Sequence, residues 1–422
     1  MKIYLKDGKY TVYIKDFPMT VFELQDTLDQ MKITKNDSKV LFKISKYDNT
    51  TLPQNLCEQE FSADIYEINL FAERYEKLDE LNCAVFKSLL AAYPESSFED
   101  LLLMTYGLDS VPVYRCSSLE ELGEAMIEND MVEELKELPD EYIDFIDREK
   151  IGSLCQDREK GMFIDGYYCV PSAYEKPDIN IEIGEGEKCF FRLLIAPAPI
   201  DEEPTDKLAQ WISLPCDREQ LDEFSKSFGT DRIEDMVYYD FQSALPMITE
   251  EQFGDMDRIN ELNLLAEKLS ELSDYDFIKL KAVMESQEFK EISDAEECIN
   301  CLDGYGFDMN IRHESVFGKE YLSRNLPTDF NLSVLEDIDL HDFGSKILKC
   351  KGAMLTSYGV IYGKYQDLYS AITVQQEQNI TEECEEEMTE DELSSLDRFF
   401  DDPDGTKSDM ESKPSVDEVE NG

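Results

Sequence analysis

The 422-residue sequence predicts an α+β fold, and three observations carry that expectation. Short runs rich in Tyr, Phe, Val and Ile read as strands, and longer stretches with apolar residues three and four apart read as helices. The two signals are mixed without the regular alternation of a doubly wound parallel sheet. Hydrophobic residues make up 42% and aromatics 11% of the chain, enough to build real cores, so the sequence is not a wholly disordered acidic polymer.

In chain order, Lys9–Lys15 and Val40–Ser45 are the first predicted strands, and Glu67–Ala92 is the first long helical stretch. Phe190–Ile195 and Met236–Phe241 are strand-like again. Ile259–Met284 is helical, with Leu262, Leu265, Ala266 and Leu269 on one face. Between these sets, Pro171–Lys188 sets Pro171, Pro177, Gly184 and Gly186 among acids without periodicity and reads as a join. From Gln376 onward the chain is dense in Glu and then in Ser, Asp, Gly and Pro, so disorder is the default expectation. Within it, Thr389 to Glu392 has capping-box spacing ahead of Leu393, Leu396, Phe399 and Phe400, a pattern open to a short recognition helix.

The two sets repeat one another. Ile68-Asn69-Leu70-Phe71-Ala72-Glu73 resembles Leu262-Asn263-Leu264-Leu265-Ala266-Glu267 at an offset of 194. Leu122-Gly123-Glu124 aligns with Phe317-Gly318-Lys319 at 195, and Gly152 with Gly344 at 192. Matches in one order at nearly constant offset predict a tandem duplication: residues 1–175, residues 189–365, and a separate acidic tail at 376–422.

Charge narrows the function. The chain carries 95 Asp plus Glu against 40 Lys plus Arg, a net −55. Residues 1–180 hold 37 acids and 19 bases, residues 181–375 hold 40 and 18, and residues 376–422 hold 18 and 3. The tail therefore explains −15, and −40 lies on sequence expected to fold. Direct binding to a nucleic-acid backbone is disfavoured, because affinity there comes from Lys and Arg displacing counterions; a basic partner is expected instead. The stretch Met1–Lys46, with 9 Lys against 6 acids, is a mild local exception. No membrane span and no secretion signal are legible, and 11 irregularly spaced Cys fit reduced thiols, so a cytoplasmic protein is expected.

Catalytic chemistry is poorly represented, and the expectation is a non-enzyme without cofactor or metal. The two His, His313 and His341, lie apart from each other and from any Cys pair. Cys298-Ile299-Asn300-Cys301 lacks the second pair a zinc site needs and reads as two thiols on one helical face. Gly184-Glu185-Gly186 lacks the third glycine and the preceding strand of a dinucleotide loop. Asp402, Asp404, Gly405 and Glu411 mimic part of a calcium loop, but Phe400 stands where its leading carboxylate would be. With 95 acids, some carboxylate pair always falls at a glycosidase-like separation, so such a pair carries no information.

The acids themselves are the candidate site. From Ser117 to Glu128, Ser117 and Glu120 have capping-box spacing, and Leu119, Leu122 and Met126 form one helical face. Glu120, Glu121, Glu124 and Glu128 form the other, with no Lys partner in reach along the sequence. The like-charge choice continues through Glu133, Glu134 and Glu137, relieved by Lys136. In the second copy the counterpart of that helix is far less acidic, and the load shifts to Asp217–Asp308. There the candidates are Asp217, Glu219, Asp222 and Glu223, then Glu234 and Asp235, then Glu250, Glu251, Asp255, Asp257 and Glu261. Duplex DNA presents one charge per ~1.7 Å, so a body charge of −40 matches roughly 70 Å of duplex. A surface that is acidic only for solubility is the competing reading.

Several of these segments resemble the ArdA-type antirestriction proteins. Trp211-Ile212-Ser213-Leu214-Pro215 is similar to that family's Trp-x-x-Leu-Pro segment before an acidic helix. Asn260-Glu261-Leu262-Asn263-Leu264-Leu265-Ala266 resembles its Leu-Asn-Glu-Leu-Ala helix. Ile338-Asp339-Leu340-His341-Asp342-Phe343-Gly344 and Thr356-Ser357-Tyr358-Gly359 resemble its carboxy-terminal elements. The likeness covers residues 189–363 with a fainter echo over 10–170, where the first copy departs by reading Tyr13-Ile14-Lys15-Asp16-Phe17-Pro18 without a Trp.

The resemblance implies an elongated, non-catalytic protein of small α+β subdomains that occupies the basic DNA-binding groove of a type I restriction-modification enzyme and protects incoming mobile DNA. It also implies a homodimer; an intramolecular pseudo-dimer of the tandem copies is a further expectation, read from the duplication rather than from the family. An acidic scaffold or chaperone for another basic protein, with the tail as docking element, is the alternative.

Overall fold

The computed structural model describes residues 1–7, 11–33, 38–45, 52, 56–57, 59–135, 138–181, 189–197, 208–287, 289–326 and 339–370. The fold is α+β, built from small antiparallel sheets and short helices. Two compact units divide the chain: Met1–Asp303 with Thr356–Gly359, and Gly304–Leu355 with the residues from Val360 onward. This division does not fall at the 171–188 join expected from the repeat.

The first unit begins with strands β1 (Lys2–Asp7) and β2 (Thr11–Asp16), helix α1 (Val21–Met31), and strands β3 (Lys39–Ile44) and β4 (Phe61–Asp64). They form an antiparallel sheet in the order β2-β1-β3-β4, with Tyr4 opposite Ile14 and Leu5 opposite Phe42. Alternation along β1 buries Ile3 and Leu5 and turns Lys2, Tyr4 and Lys6 outward. Helices α2 (Ile65–Glu76), α3 (Glu80–Ala92) and α4 (Phe98–Met104) close over the inner face. There Phe98 meets Phe42 edge-on at 5.0 Å and Phe71 at 5.3 Å. Strand β5 (Val113–Tyr114), helices α5 (Leu119–Glu128) and α6 (Arg148–Glu159), and strands β6 (Met162–Ile164) and β7 (Tyr167–Cys169) follow, with sheet order β5-β7-β6.

The same order of elements then recurs. Strands β8 (Phe191–Ala196) and β9 (Gln210–Leu214), helix α7 (Arg218–Ser227) and strand β10 (Val237–Ser243) form a sheet in the order β10-β8-β9, matching β3-β1-β2. A short helix α8 (Glu250–Phe253) precedes α9 (Ile259–Ser270), α10 (Asp274–Glu285) and α11 (Ile292–Cys301). No strand equivalent to β4 lies between β10 and α9 among the described residues. In the second unit, β11 (Tyr305–Asp308), α12 (Glu314–Asn325), α13 (Leu340–Cys350), β12 (Met354–Thr356) and β13 (Gly359–Gly363) give the sheet order β11-β13-β12, the counterpart of β5-β7-β6. Phe317, Leu348 and Val360 form its core.

Both long helical stretches expected from periodicity are in fact pairs. Glu67–Ala92 is broken between Glu76 and Glu80, where Asp79 accepts a hydrogen bond from the Asn82 N–H and starts a new helix. Ile259–Met284 is broken likewise, with Ser273 capping α10 through the Asp276 N–H. Apolar residues continue past both breaks, with Val85, Phe86 and Leu89 buried on α3 and Leu280, Val283 and Met284 on α10, so periodicity alone cannot locate the cap. The first strand's expected start at Lys9 lies outside the described residues, and β2 begins at Thr11.

Two buried devices explain why the repeat is readable in sequence. Asn69 accepts the Met19 N–H at 2.6 Å and donates to the Met19 carbonyl at 3.0 Å, holding the turn ahead of α1. Asn263 does the same for Cys216 ahead of α7, at 2.9 Å in both directions. The matched glycines sit where helices cross. A Cβ on Gly123 would lie 1.8 Å from the Arg148 carbonyl oxygen, and one on Gly152 1.9 Å from that of Leu119. In the second unit, Gly318 and Gly344 face Leu340 and Glu314 carbonyls at 2.6 and 1.9 Å in the same sense.

A third device differs between the copies: Lys87, at the same offset of 194, pairs with exposed Asp165, whereas its counterpart is enclosed. Lys281 of α10 is buried, and its Nζ lies 2.9 Å from Asp26 Oδ1 and 2.8 Å from Asp29 Oδ2 of α1. The Tyr358 hydroxyl donates to the same Asp26 oxygen at 2.7 Å, while Gln30 donates to Asp26 and Gln25 to Asp29. Burial and the neighbouring Asp26 charge push the Tyr358 phenol far above its ordinary range, so it stays a neutral donor. The cluster joins elements of the two repeats inside the first unit. Among the described residues, no helix is long and apolar enough to cross a membrane.

Gly152→Ala should destabilise the chain by about 1–3 kcal/mol in urea denaturation, because backbone must move to admit the methyl group. Gly304→Ala, where a Cβ meets nothing within 4 Å, serves as control and should change little. Lys281→Met should cost about 3–5 kcal/mol by leaving two buried carboxylates without their cation. Adding Asp26→Asn and Asp29→Asn to it should recover much of that loss.

Candidate partner-binding acidic surface

On α5 the cap is Ser118 rather than Ser117: its side chain accepts the Glu121 N–H, and Glu121 is the third helical residue. The Glu121 carboxylate reaches back to Ser117, accepting from its backbone N–H at 2.7 Å and its hydroxyl at 2.9 Å. The expected pairing of Ser117 with Glu120 is thus displaced by one residue. Buried Leu122, Gly123 and Met126 face α6, and Glu120, Glu121, Glu124 and Glu128 are exposed. The two Ser117 donors hold the Glu121 carboxyl below the ordinary glutamate range.

The helix ends at Glu128, so the acidic run does not continue along it. Asp130 takes a left-handed conformation with φ 55°, and Glu133 and Glu134 lie in a 3₁₀ turn, Glu133–Leu135. Glu137 lies outside the described residues. Nor is this face without cations, as sequence neighbours suggested. Arg148 at the start of α6 lies 3.9 Å from Glu124, and Arg158 near its end pairs with Glu134. A backbone donor and Arg158 keep the Glu134 carboxyl below its ordinary range. Arginines three turns apart on the neighbouring helix are invisible to a reading along α5 alone.

In the second copy, Asp217 caps α7 by accepting the Gln220 N–H at 2.8 Å, while Gln220 accepts the Asp217 N–H in return. Leu221 and Ser225 are buried, which leaves Glu219, Asp222 and Glu223 exposed around the opposite side. Glu234 and Asp235 occupy the 3₁₀ turn Ile233–Asp235. Asp235 is exposed, but Glu234 is half-buried, accepts from Asn260 at 2.8 Å and lies 3.4 Å from Arg232. Its carboxyl is held low, by a backbone hydrogen bond first and then by Asn260 and Arg232, against the opposing effect of burial.

Glu250 and Glu251 open α8 and are exposed, as are Asp255 and Asp257 in the turn before α9, where Asp255 accepts the Asp257 N–H. Glu261 is half-buried and accepts from Arg258 Nε at 2.9 Å and Nη2 at 3.1 Å. Among the described residues, Glu120, Glu128, Glu133, Glu219, Asp222, Glu223 and Asp235 have no cation within ion-pair distance. Glu124, Glu134, Glu234 and Glu261 are partly neutralised. The counterpart of α5, helix α12, pairs Arg324 with Glu320 and is charge-balanced.

Other chemistry is scarce. Cys298 is buried and Cys301 exposed, so the two thiols expected on one face occupy different environments. Among the described residues no group of three or more His, Cys, Asp or Glu is arranged to hold a metal ion. Gly184-Glu185-Gly186 and the tail's calcium-like and recognition-helix patterns lie outside the described residues. Two clefts open on the first unit. One, of about 450 Å³, is lined by Lys15, Phe22, Glu23 and Asp26; the other, of about 560 Å³, by Tyr93, Asp100, Met104 and Tyr174. Both cleft lysines already have partners: Lys15 donates to Gln30 at 2.9 Å, and Lys176 donates to Asp100 at 2.6 Å. No family model matches the chain, and no curated protein matches it in sequence.

The Glu121 carboxyl should titrate below the ordinary glutamate value of about 4.3 when followed by NMR. Because its folded value is depressed, its contribution to stability is present above the unfolded value and is lost as pH falls through the folded one. Ser117→Ala, which removes one of the two donors, should shift the midpoint back upward.

Proposed function

We propose that the chain is a non-catalytic protein mimic of duplex DNA, which acts in the cytoplasm by occupying the basic DNA-binding groove of a type I restriction-modification enzyme. The supporting observation is the placement of exposed carboxylates on capped helices, at α5 in the first copy and at α7 and α8 in the second. Residues one helical turn apart have Cβ atoms ~5–6 Å from each other, so their carboxylates can take up a spacing of the order of that between neighbouring phosphates along a strand. The resemblance of the Trp211 and Asn260 segments to antirestriction proteins selects the class of partner.

Recognition in this reading is long-range and electrostatic. Many charges steer the encounter, and the shape of the charged surface sets specificity. Glu124 and Glu134, tied to arginines, are positioned rather than abolished as acceptors. The load carried by unpaired neighbours such as Glu120, Glu128, Asp222 and Glu223 does the competing.

The test is a titration of the purified chain into a type I enzyme with duplex DNA, read by DNA binding and by cleavage. Inhibition is expected, and its potency should fall about tenfold or more between roughly 50 and 200 mM salt. Combined Glu120→Gln, Glu124→Gln and Glu128→Gln should weaken it further, whereas deleting residues 376–422 should leave it intact. Unaltered DNA binding and cleavage at excess protein would defeat the proposal. Loss of a basic partner only on removal of the tail would favour the scaffold reading.

A further inference from the structure

In a chain where acids outnumber bases by 95 to 40, the outward face of the first sheet has the opposite character. Strand alternation places Lys2, Tyr4 and Lys6 of β1, Val12, Ile14 and Asp16 of β2, and Lys39, Leu41 and Lys43 of β3 on one side. Val12 is 53%, Ile14 58% and Leu41 43% exposed. Lys6 pairs with Glu60 at the margin; Asp16 is the single acid these three strands turn outward, and Asp64 of β4, opposite Lys39, is already engaged by the Ser38 hydroxyl and the Tyr66 N–H.

Aliphatic side chains left open between lysines are not a solubilising arrangement. A sheet face exposed only to water favours polar residues, and aliphatic groups on three outward positions lose hydrophobic free energy until something covers them. The equivalent face of the second copy carries one cation and one acid, Arg192 and Asp240, beside an open aromatic ring. There the Arg192 guanidinium lies 4.9 Å from the ring centre of Trp211, itself 37% exposed.

We propose that the outward face of β1, β2 and β3 is a docking surface for an acidic peptide segment of a partner protein, one that sets carboxylates between large apolar side chains. The assignment rests on charge complementarity and on the exposed aliphatic groups. Carboxylates meet Lys39 and Lys43, and the apolar side chains cover Val12, Ile14 and Leu41. A basic or polynucleotide partner fits worse: lysines repel the first, and the aliphatic groups give the second no stacking platform beyond Tyr4. The surface is separate from the acidic one and does not depend on the DNA-mimic reading.

The test uses the full chain and a fluorescein-labelled synthetic peptide in which Asp and Glu alternate with Leu and Phe, followed by fluorescence anisotropy. Saturable binding is expected, and a peptide with Lys in place of the acids should not bind. The pair Lys39→Glu and Lys43→Glu should weaken binding about tenfold or more, and so should the pair Val12→Ser and Ile14→Ser. Circular dichroism and urea midpoints identify whichever pair keeps its fold. Absence of saturable binding, or binding unchanged in a folded pair, overturns the proposal. Zero-length carbodiimide cross-linking of the chain alone checks the occupant. Cross-links from Lys39 or Lys43 to residues 376–422 of the same chain, or to a second copy, would overturn the assignment to a partner.

Discussion

Three charged side chains, Lys281, Asp26 and Asp29, are packed together out of water, and the first unit is organised around keeping them satisfied. Removing such groups from solvent is costly, and mutual attraction offsets the cost only when geometry and auxiliary hydrogen bonds are complete. Here Tyr358, Gln30 and Gln25 supply those bonds, and no described buried side-chain nitrogen or oxygen lacks a partner. An apolar contact between α1 and α10 would tolerate sliding. A cation held between two carboxylates on α1 accepts only one register, so elements from the two repeats meet in a fixed way.

The acidic exterior makes the opposite demand. Like charges a turn apart destabilise a helix by a few tenths of a kcal/mol each. The chain offsets this locally by putting acids where backbone donors are waiting. Asp217, Glu121 and Asp79 lie at or near helix N-termini, where the dipole and free N–H groups favour negative charge. Arginines from a neighbouring helix or turn hold Glu124, Glu134 and Glu261. Repulsion is therefore relieved at selected points while the exposed majority stays negative.

The α+β class and the repeat were legible because they rest on local signals: alternation, helical spacing, and the recurring Asn and Gly residues. Asn69 and Asn263 stood out as matched positions, yet their role as turn clamps depends on a backbone some 47 to 50 residues away. Gly123, Gly152, Gly318 and Gly344 were aligned without any hint that they mark helix crossings. Cation pairing was the weakest part of the reading. Arg148 and Arg158 belong to a different helix from the glutamates they hold, and Lys281 lies more than 250 residues from its aspartates. Helix breaks were missed where a cap interrupts the backbone without interrupting the apolar pattern. The acidic candidates among the described residues fell on exposed positions, apart from half-buried Glu234 and Glu261, because an unpaired carboxylate has few other places to go.

The glycine crossings separate the information that specifies the fold from the information that specifies the surface. Where two helices approach backbone to backbone at paired glycines, their separation is set without reference to any side chain on their outer sides. Helices α5 and α12 use the same crossing, yet one presents a row of glutamates and the other a balanced mixture. The copies are thus free to diverge in charge while sharing a chassis, and each exterior can be rewritten for a new partner without renegotiating the interior.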